Sequence, residues 1–345
     1  MAEDRSTDIP EEQPVAGPSN PDPYGWVADE PRTTPSRYAG CPDGDLPPGL
    51  FTRIEDPGHD LWDIAIPGKQ RRVCHEMKEW GSFAMYQIAF EEFGYRLPFN
   101  DFEVSVFKRL RLAPSQLHPN SLAFLRAFEI VAAYLRIVPS LDLFFYTFRL
   151  QRSKPKGEAE NKHGWVSFTQ RRRLFELYEE SVRGFKDNWY VVFPKGAEGR
   201  QSVVTKVPKI GGDGNQVLRP DGSPIIVEHP RFPFKWDRKH YLLPASSFGC
   251  AKKELNATIL GQHDMLCDFV DGFAPLVRTD KDNNPVVDVD GNVVTSKRFI
   301  DTKALLACST RAEAETLLSM FGFIFLLLVL FCFSFIFADF TNPCL

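Results

Sequence analysis

The sequence predicts an α+β fold: a mainly helical domain with a few short strands, a disordered N-terminus and a C-terminal hydrophobic helix. Three observations lead there. Apolar side chains recur at helical spacing in several stretches between Glu76 and Phe148. Two short aromatic runs, Trp165–Phe168 and Trp189–Phe193, are bounded by Gly or Pro and read as strands. The two ends differ in kind, one rich in Pro, Gly, Ser and acid, the other almost wholly apolar.

Residues 1–48 hold Tyr24, Trp26 and Tyr38 as their large aromatic side chains. Such a segment buries too little apolar surface to offset its chain entropy and is expected to be disordered. Residues 49–194 are expected to form the domain. Met77, Trp80, Phe83, Ile88 and Phe90 predict a first helix from Glu76, which Gly94 stops. Asn100 and Glu103 stand three apart, as in a capping box, and start a short helix with Phe102, Val106 and Leu110 inward. A longer helix, about Asn120 to Leu135, presents Leu122, Leu125, Phe128 and Ala132, and Pro139 separates it from the next. Ser140 caps that helix, in which Leu141, Phe144, Phe145 and Phe148 make a stripe expected to pack on Leu125, Phe128 and the strand Trp189–Phe193.

Residues 195–307 read as a loosely structured mixed region. The run "RPDGSPIIV" and the Asp290-Gly291 pair between valine-rich runs are hairpin signals. Between them a helix from about Lys252 to Phe269 carries Leu255, Ile259 and Leu266 inward. No internal repeat is apparent at this level. Residues 308–345 are expected to form a C-terminal helix, with a capping box at Thr310 and Glu313 and an uncharged candidate transmembrane span at 320–338. Lys303 and Arg311 precede the span and no Lys or Arg follows it, which predicts a membrane tail anchor with the N-terminal part in the cytosol. The same composition also arises when U-rich untranslated sequence is read as protein, since Phe, Leu, Ile and Val codons share a central U; the expected location is then nucleus or cytoplasm.

Charge is unevenly divided. The first 93 residues carry 8 basic and 18 acidic side chains, residues 94–193 carry 16 and 10, and the remainder 17 and 17. Only the middle segment has a field that favours polyanions. The seven cysteines form no CxxC pair and read as reduced intracellular thiols, and the start lacks a secretory signal.

Four ordered motifs fall in that basic segment: "LPFNDFEVSVFKRLRLAPSQLHPNSLAFLRAFEI" from Leu97, "PSLDLFFYTFRLQRS" from Pro139, "HGWVSF" from His163 and "VRGFKDNWYVVF" from Val182. Together they resemble the gypsy-type transposase domain of plant retrotransposon-derived proteins. The resemblance implies descent from a mobile element and transfers no catalytic residue. The function expected from it is a non-enzymatic assembly or interaction module with weak nucleic-acid binding. A divalent-metal polynucleotidyl transferase and a membrane-tethered adaptor are the alternatives.

Asp264, Asp268 and Asp271 fall at i, i+4 and i+7 beside His263, so a helix would gather three carboxylates that could hold a divalent cation or simply face solvent. Cys250, His263 and Cys267 match the later part of a zinc finger but lack its first cysteine pair. Asp280, Asp282 and Asn284 begin like a calcium loop that Pro285 and Gly291 then break. No cofactor is expected. The candidate nucleic-acid residues are Lys108, Arg109 and Arg111; Arg152 and Lys154, near Arg149 and Lys156; and Arg171, Arg172 and Arg173. Basic clusters beside aromatics suit phosphate neutralisation with base stacking, and equally suit a solvated basic face. The expected partners are nucleic acid bound without sequence preference, a second copy of the chain, and a membrane through 320–338.

Overall fold

The computed structural model describes residues 22–41, 61–152 and 161–321. Its architecture is mixed α/β, with several small sheets set among helices, and this overturns the mainly helical class expected from spacing. Among the described residues the helices are short, apart from four, and the strands between them carry much of the aromatic core.

The chain enters through α1 (Asp29–Thr33) and reaches β1 (Trp62–Ala65), β2 (Phe83–Tyr86) and α2 (Gln87–Glu91). The helix expected from Glu76 to Phe93 is therefore replaced by turns, a strand and one helical turn and a half. β2 is buried on both faces, so its apolar residues run on continuously and a helical period read into them is accidental. Next come α3 (Asp101–Leu110), α4 (Pro119–Tyr134) and α5 (Leu141–Thr147). The Asn100–Glu103 capping box forms in both directions, and Ser140 accepts from the Leu143 amide at 3.2 Å.

β3 (Phe148–Arg152) follows without a break and pairs antiparallel with β4 (Val166–Gln170). β5 (Trp189–Pro194) is the centre of an antiparallel sheet in the order β1-β5-β2. Phe148 thus opens a strand instead of ending the α5 stripe. Phe144 is fully buried, with its ring 5.2 Å from Phe128, 5.2 Å from Phe168 on β4 and 5.8 Å from Phe102. Its strand neighbour is β4, where packing on Trp189–Phe193 was expected.

Beyond α6 (Gly196–Gln201), β6 (Val204–Pro208) pairs with β7 (Ile226–Pro230). Then come α7 (Ala257–Asp271), the two-residue pair β8 (Leu276–Val277) and β9 (Thr295–Ser296), and α8 (Thr302–Ala307). A repeat absent from the sequence reading appears here. Lys209, Val217 and Ile225 are eight residues apart and close a ring of backbone hydrogen bonds: Val217 donates to Lys209, Ile225 to Val217, and Lys209 to Ile225, at 2.7–2.9 Å. Arg278, Val286 and Val294 close the same ring at 2.8–2.9 Å. In each eight-residue turn the fifth residue is an aspartate, Asp213, Asp221, Asp282 or Asp290, and the sixth has positive φ: Gly214, Gly222, Asn283 and Gly291. Glycine and asparagine are the residues that tolerate that backbone best, which explains the D-[GN]-[NS] signature.

Residues 22–41 correct the expectation of a disordered N-terminus for the part they cover. Val27 and Tyr38 are buried, Ala28 donates to the His163 carbonyl, and His163 donates back to that of Trp26. Composition missed this because the few aromatic side chains pack on distant parts of the chain, as Tyr24 stacks on His75 at 4.5 Å. At the other end residues 311–321 form a helix whose Thr310 hydroxyl caps the Glu313 amide. No helix among the described residues is long and apolar enough to cross a membrane, so the C-terminal hydrophobic helix has no support. The predicted span at 320–338 lies outside the described residues from 322 onward.

Candidate nucleic-acid interface

The α3 helix places two of the sequence-predicted cations. Its capped N-terminus fixes the register, and Lys108 and Arg111 emerge at the far end, Arg111 closing the helix with φ of 56°. Both line a cavity of about 510 Å³ whose other walls are the segment 76–82 and the turn 230–239. Trp80 stands at the cavity, 49% exposed, and meets Phe234 edge to face at 5.6 Å.

Three cations of this cavity are neutralised: Arg231 by Asp101, Lys235 by Glu76, and Lys239 by Asp237 at 3.4 Å. The Glu76 carboxylate raises the Lys235 pKa. Lys78, Lys108 and Arg111 have no ion pair among the described residues. The result is a cleft with an exposed indole and three cations outside any ion pair among the described residues, set against one such carboxylate, Glu79, chemistry that suits phosphate and a stacked base. Lys78 and Trp80 were missed as site residues because Trp80 was read into a buried helical face. The lysine two residues before an aromatic in "KEWG" was the available signal.

The other predicted cations do different work. Arg109 reaches the Phe248 carbonyl at 3.4 Å and lies over the Phe145 ring. Arg152 donates from Nε to His240 Nε2 at 3.0 Å, and from its terminal nitrogens to the carbonyls of Leu243 and His240 at 2.8 and 2.9 Å. Arg171 donates to the carbonyls of Tyr146 and Cys250 at 2.9 and 3.1 Å, and Arg173 lies 4.3 Å over Phe299. Arg172 pairs with Asp271. Together these five arginines fasten residues 240–300 to the segment that precedes them. Lys154 lies outside the described residues.

The three aspartates sit on α7, where Asp264 and Asp268 face solvent. Asp271 is held between Lys297 and Arg172, which keep its carboxyl below the ordinary range. Among the described residues no group of three or more His, Cys, Asp or Glu is placed to hold a metal ion. Cys267 Sγ lies 3.7 Å from His263 Nδ1 and 3.9 Å from Nε2. Near-equal distances put the sulfur off the line of either nitrogen, so the pair is a packing contact and lacks the alignment of a nucleophile and its base. Burial lowers the His263 pKa and raises that of Cys267, which opposes a thiolate. Cys250 lies apart, its Sγ 3.5 Å from Asp142 and 3.8 Å from Arg109.

Residues 85–152 match the family model described as "Putative gypsy type transposon". No match is found among curated proteins or among solved structures. The matched segment runs from within β2 through β3, so it contains Lys108, Arg109, Arg111 and Arg152, while Lys78 and Trp80 precede it. The match covers about a fifth of the chain and takes in the first two of the four motifs that resemble the gypsy-type transposase domain, all but Ser153 of the second.

Proposed function

We propose that this transposon-related chain is an interaction module that binds nucleic acid weakly and without sequence preference at the Trp80 cleft. The observation that carries the reading is the convergence of Lys78, Lys108 and Arg111, none of them ion-paired among the described residues, on a cavity that also exposes the Trp80 indole. Cations there neutralise phosphates, and the indole offers a face on which any base stacks, so affinity comes without a sequence code. The α7 carboxylates support no strand-transfer chemistry, since Asp271 is already neutralised by two cations.

Fluorescence anisotropy with a labelled mixed-sequence oligonucleotide tests this on the full chain. Binding is expected with a dissociation constant in the range of about 10⁻⁴ to 10⁻⁶ M typical of non-specific contacts. Charge reversal by Lys108→Glu with Arg111→Glu is expected to abolish it, with the far-ultraviolet circular dichroism unchanged. Undiminished binding by a folded double variant contradicts the reading.

A further inference from the structure

We propose that a polynucleotide held at the Trp80 cleft continues as a single strand across the 77–82 ridge into a second cavity on the face of the β1-β5-β2 sheet. This rests on the cleft being the nucleic-acid site.

A cavity of about 760 Å³ adjoins the first and shares Met77, Lys78, Glu79 and Ser82 with it, so the two form one groove bent around that ridge. Its floor is sheet: Ala65 of β1 pairs in register with Val191 of β5, and Phe193 lies two residues further along the same face. Its rim is basic. Lys69 and Arg71 have no ion pair among the described residues, and Arg71 is oriented by its donation to the Glu76 carbonyl at 2.8 Å. Across both cavities eight Lys and Arg side chains stand against three carboxylates.

The shape selects the ligand class. A duplex keeps its bases stacked inside and offers only a wide phosphate cylinder, which cannot enter cavities of this size. An unpaired strand can lay bases on Trp80 and on the Ala65, Val191 and Phe193 floor while its phosphates follow Lys108, Arg111, Lys78, Lys69 and Arg71. DNA and RNA share this chemistry.

The test uses the full chain and fluorescein-labelled oligothymidylates and oligouridylates of about three, six and twelve nucleotides, with a blunt duplex of about twelve base pairs, followed by anisotropy. Affinity is expected to rise with length and to exceed that for the duplex. Lys69→Ala with Arg71→Ala is expected to weaken the twelve-mer about fivefold or more and to leave the three-mer, seated at Trp80, unchanged. Lys69→Glu alone, on an exposed side chain, repeats the test if the double variant is unstable. Trp80→Ala is expected to weaken every length. Equal loss for three-mer and twelve-mer, no loss for either, or preference for the duplex overturns the single-strand path while leaving the cleft in place. Indifference of every probe to Trp80→Ala and Lys108→Ala removes the cleft itself, and the path with it. The thymidylate and uridylate series, compared at equal length, separate a DNA ligand from an RNA ligand.

Discussion

His240 shows how a single residue ties the chain together. It is buried, its Nδ1 lies 2.6 Å from the Leu110 carbonyl, and its Nε2 accepts from Arg152 at 3.0 Å. One nitrogen must donate and the other accept, so the imidazole is neutral with the proton on Nδ1. Burial pushes its pKa down to about 4, and does the same to His118. Both imidazoles take up a proton near 6.5 when the chain unfolds. Between about 6.5 and 4 the unfolded chain therefore binds more protons, and each histidine removes stability as pH falls, roughly 3 kcal/mol at most. Below about 4 the loss stops. Glu103 works in the opposite sense: burial holds its carboxyl well above the ordinary range, so its contribution is lost as pH rises. Imidazole proton NMR separates the groups. The expected midpoint for His240 is about 4, and a midpoint near 6.5 would show that the imidazole is not buried between Leu110 and Arg152.

Among elements, the helices that were legible are those with a side-chain cap or a long apolar run. Asn100 with Glu103 for α3, Ser140 for α5 and the apolar run of α4 were readable because caps and periods are local. β2 was not, since a strand covered on both faces loses its alternation. The hydrogen-bonded rings at Lys209–Val217–Ile225 and Arg278–Val286–Val294 were hidden for a different reason. Only the aspartate and the positive-φ residue of each turn are shared, and Asn283 in place of glycine disguises one of the four. The Trp80 cleft was half legible. Lys108 and Arg111 were named, but Lys78 and Trp80 reach them only through tertiary folding, and Arg109, Arg152, Arg171, Arg172 and Arg173 look identical in sequence while serving as internal clamps. The ring account makes a sharp expectation for Gly222, where a Cβ would meet nothing within 4 Å and φ is 82°. Gly222→Ala should therefore cost about 1 to 2 kcal/mol from the backbone alone, read as faster amide exchange at Val217 and Ile225. Unchanged exchange would mean the ring does not depend on that turn.

Over the whole molecule, the family-matched segment 85–152 is built into a larger frame. β2, where the match begins, pairs with β5, and Arg152 at its end anchors the 238–243 turn. The cleft itself joins three stretches, 76–82, the end of α3 and 230–239, so its charge depends on the complete fold. The clamp arginines keep their charge but direct it at internal carbonyls, rings and, for Arg172, a carboxylate, which leaves Lys78, Lys108 and Arg111 as the cations the cleft offers to a phosphate. The central claim is thus about which charges meet the ligand, and the salt dependence of binding counts them. For single strands the slope of log K against log salt changes by about 0.7 for each phosphate contact. Replacing Lys78, Lys108 and Arg111 together by alanine in the full chain should make that slope shallower by about 2 between about 50 and 200 mM salt. A triple variant that folds and keeps the slope of the unmodified chain would contradict the account.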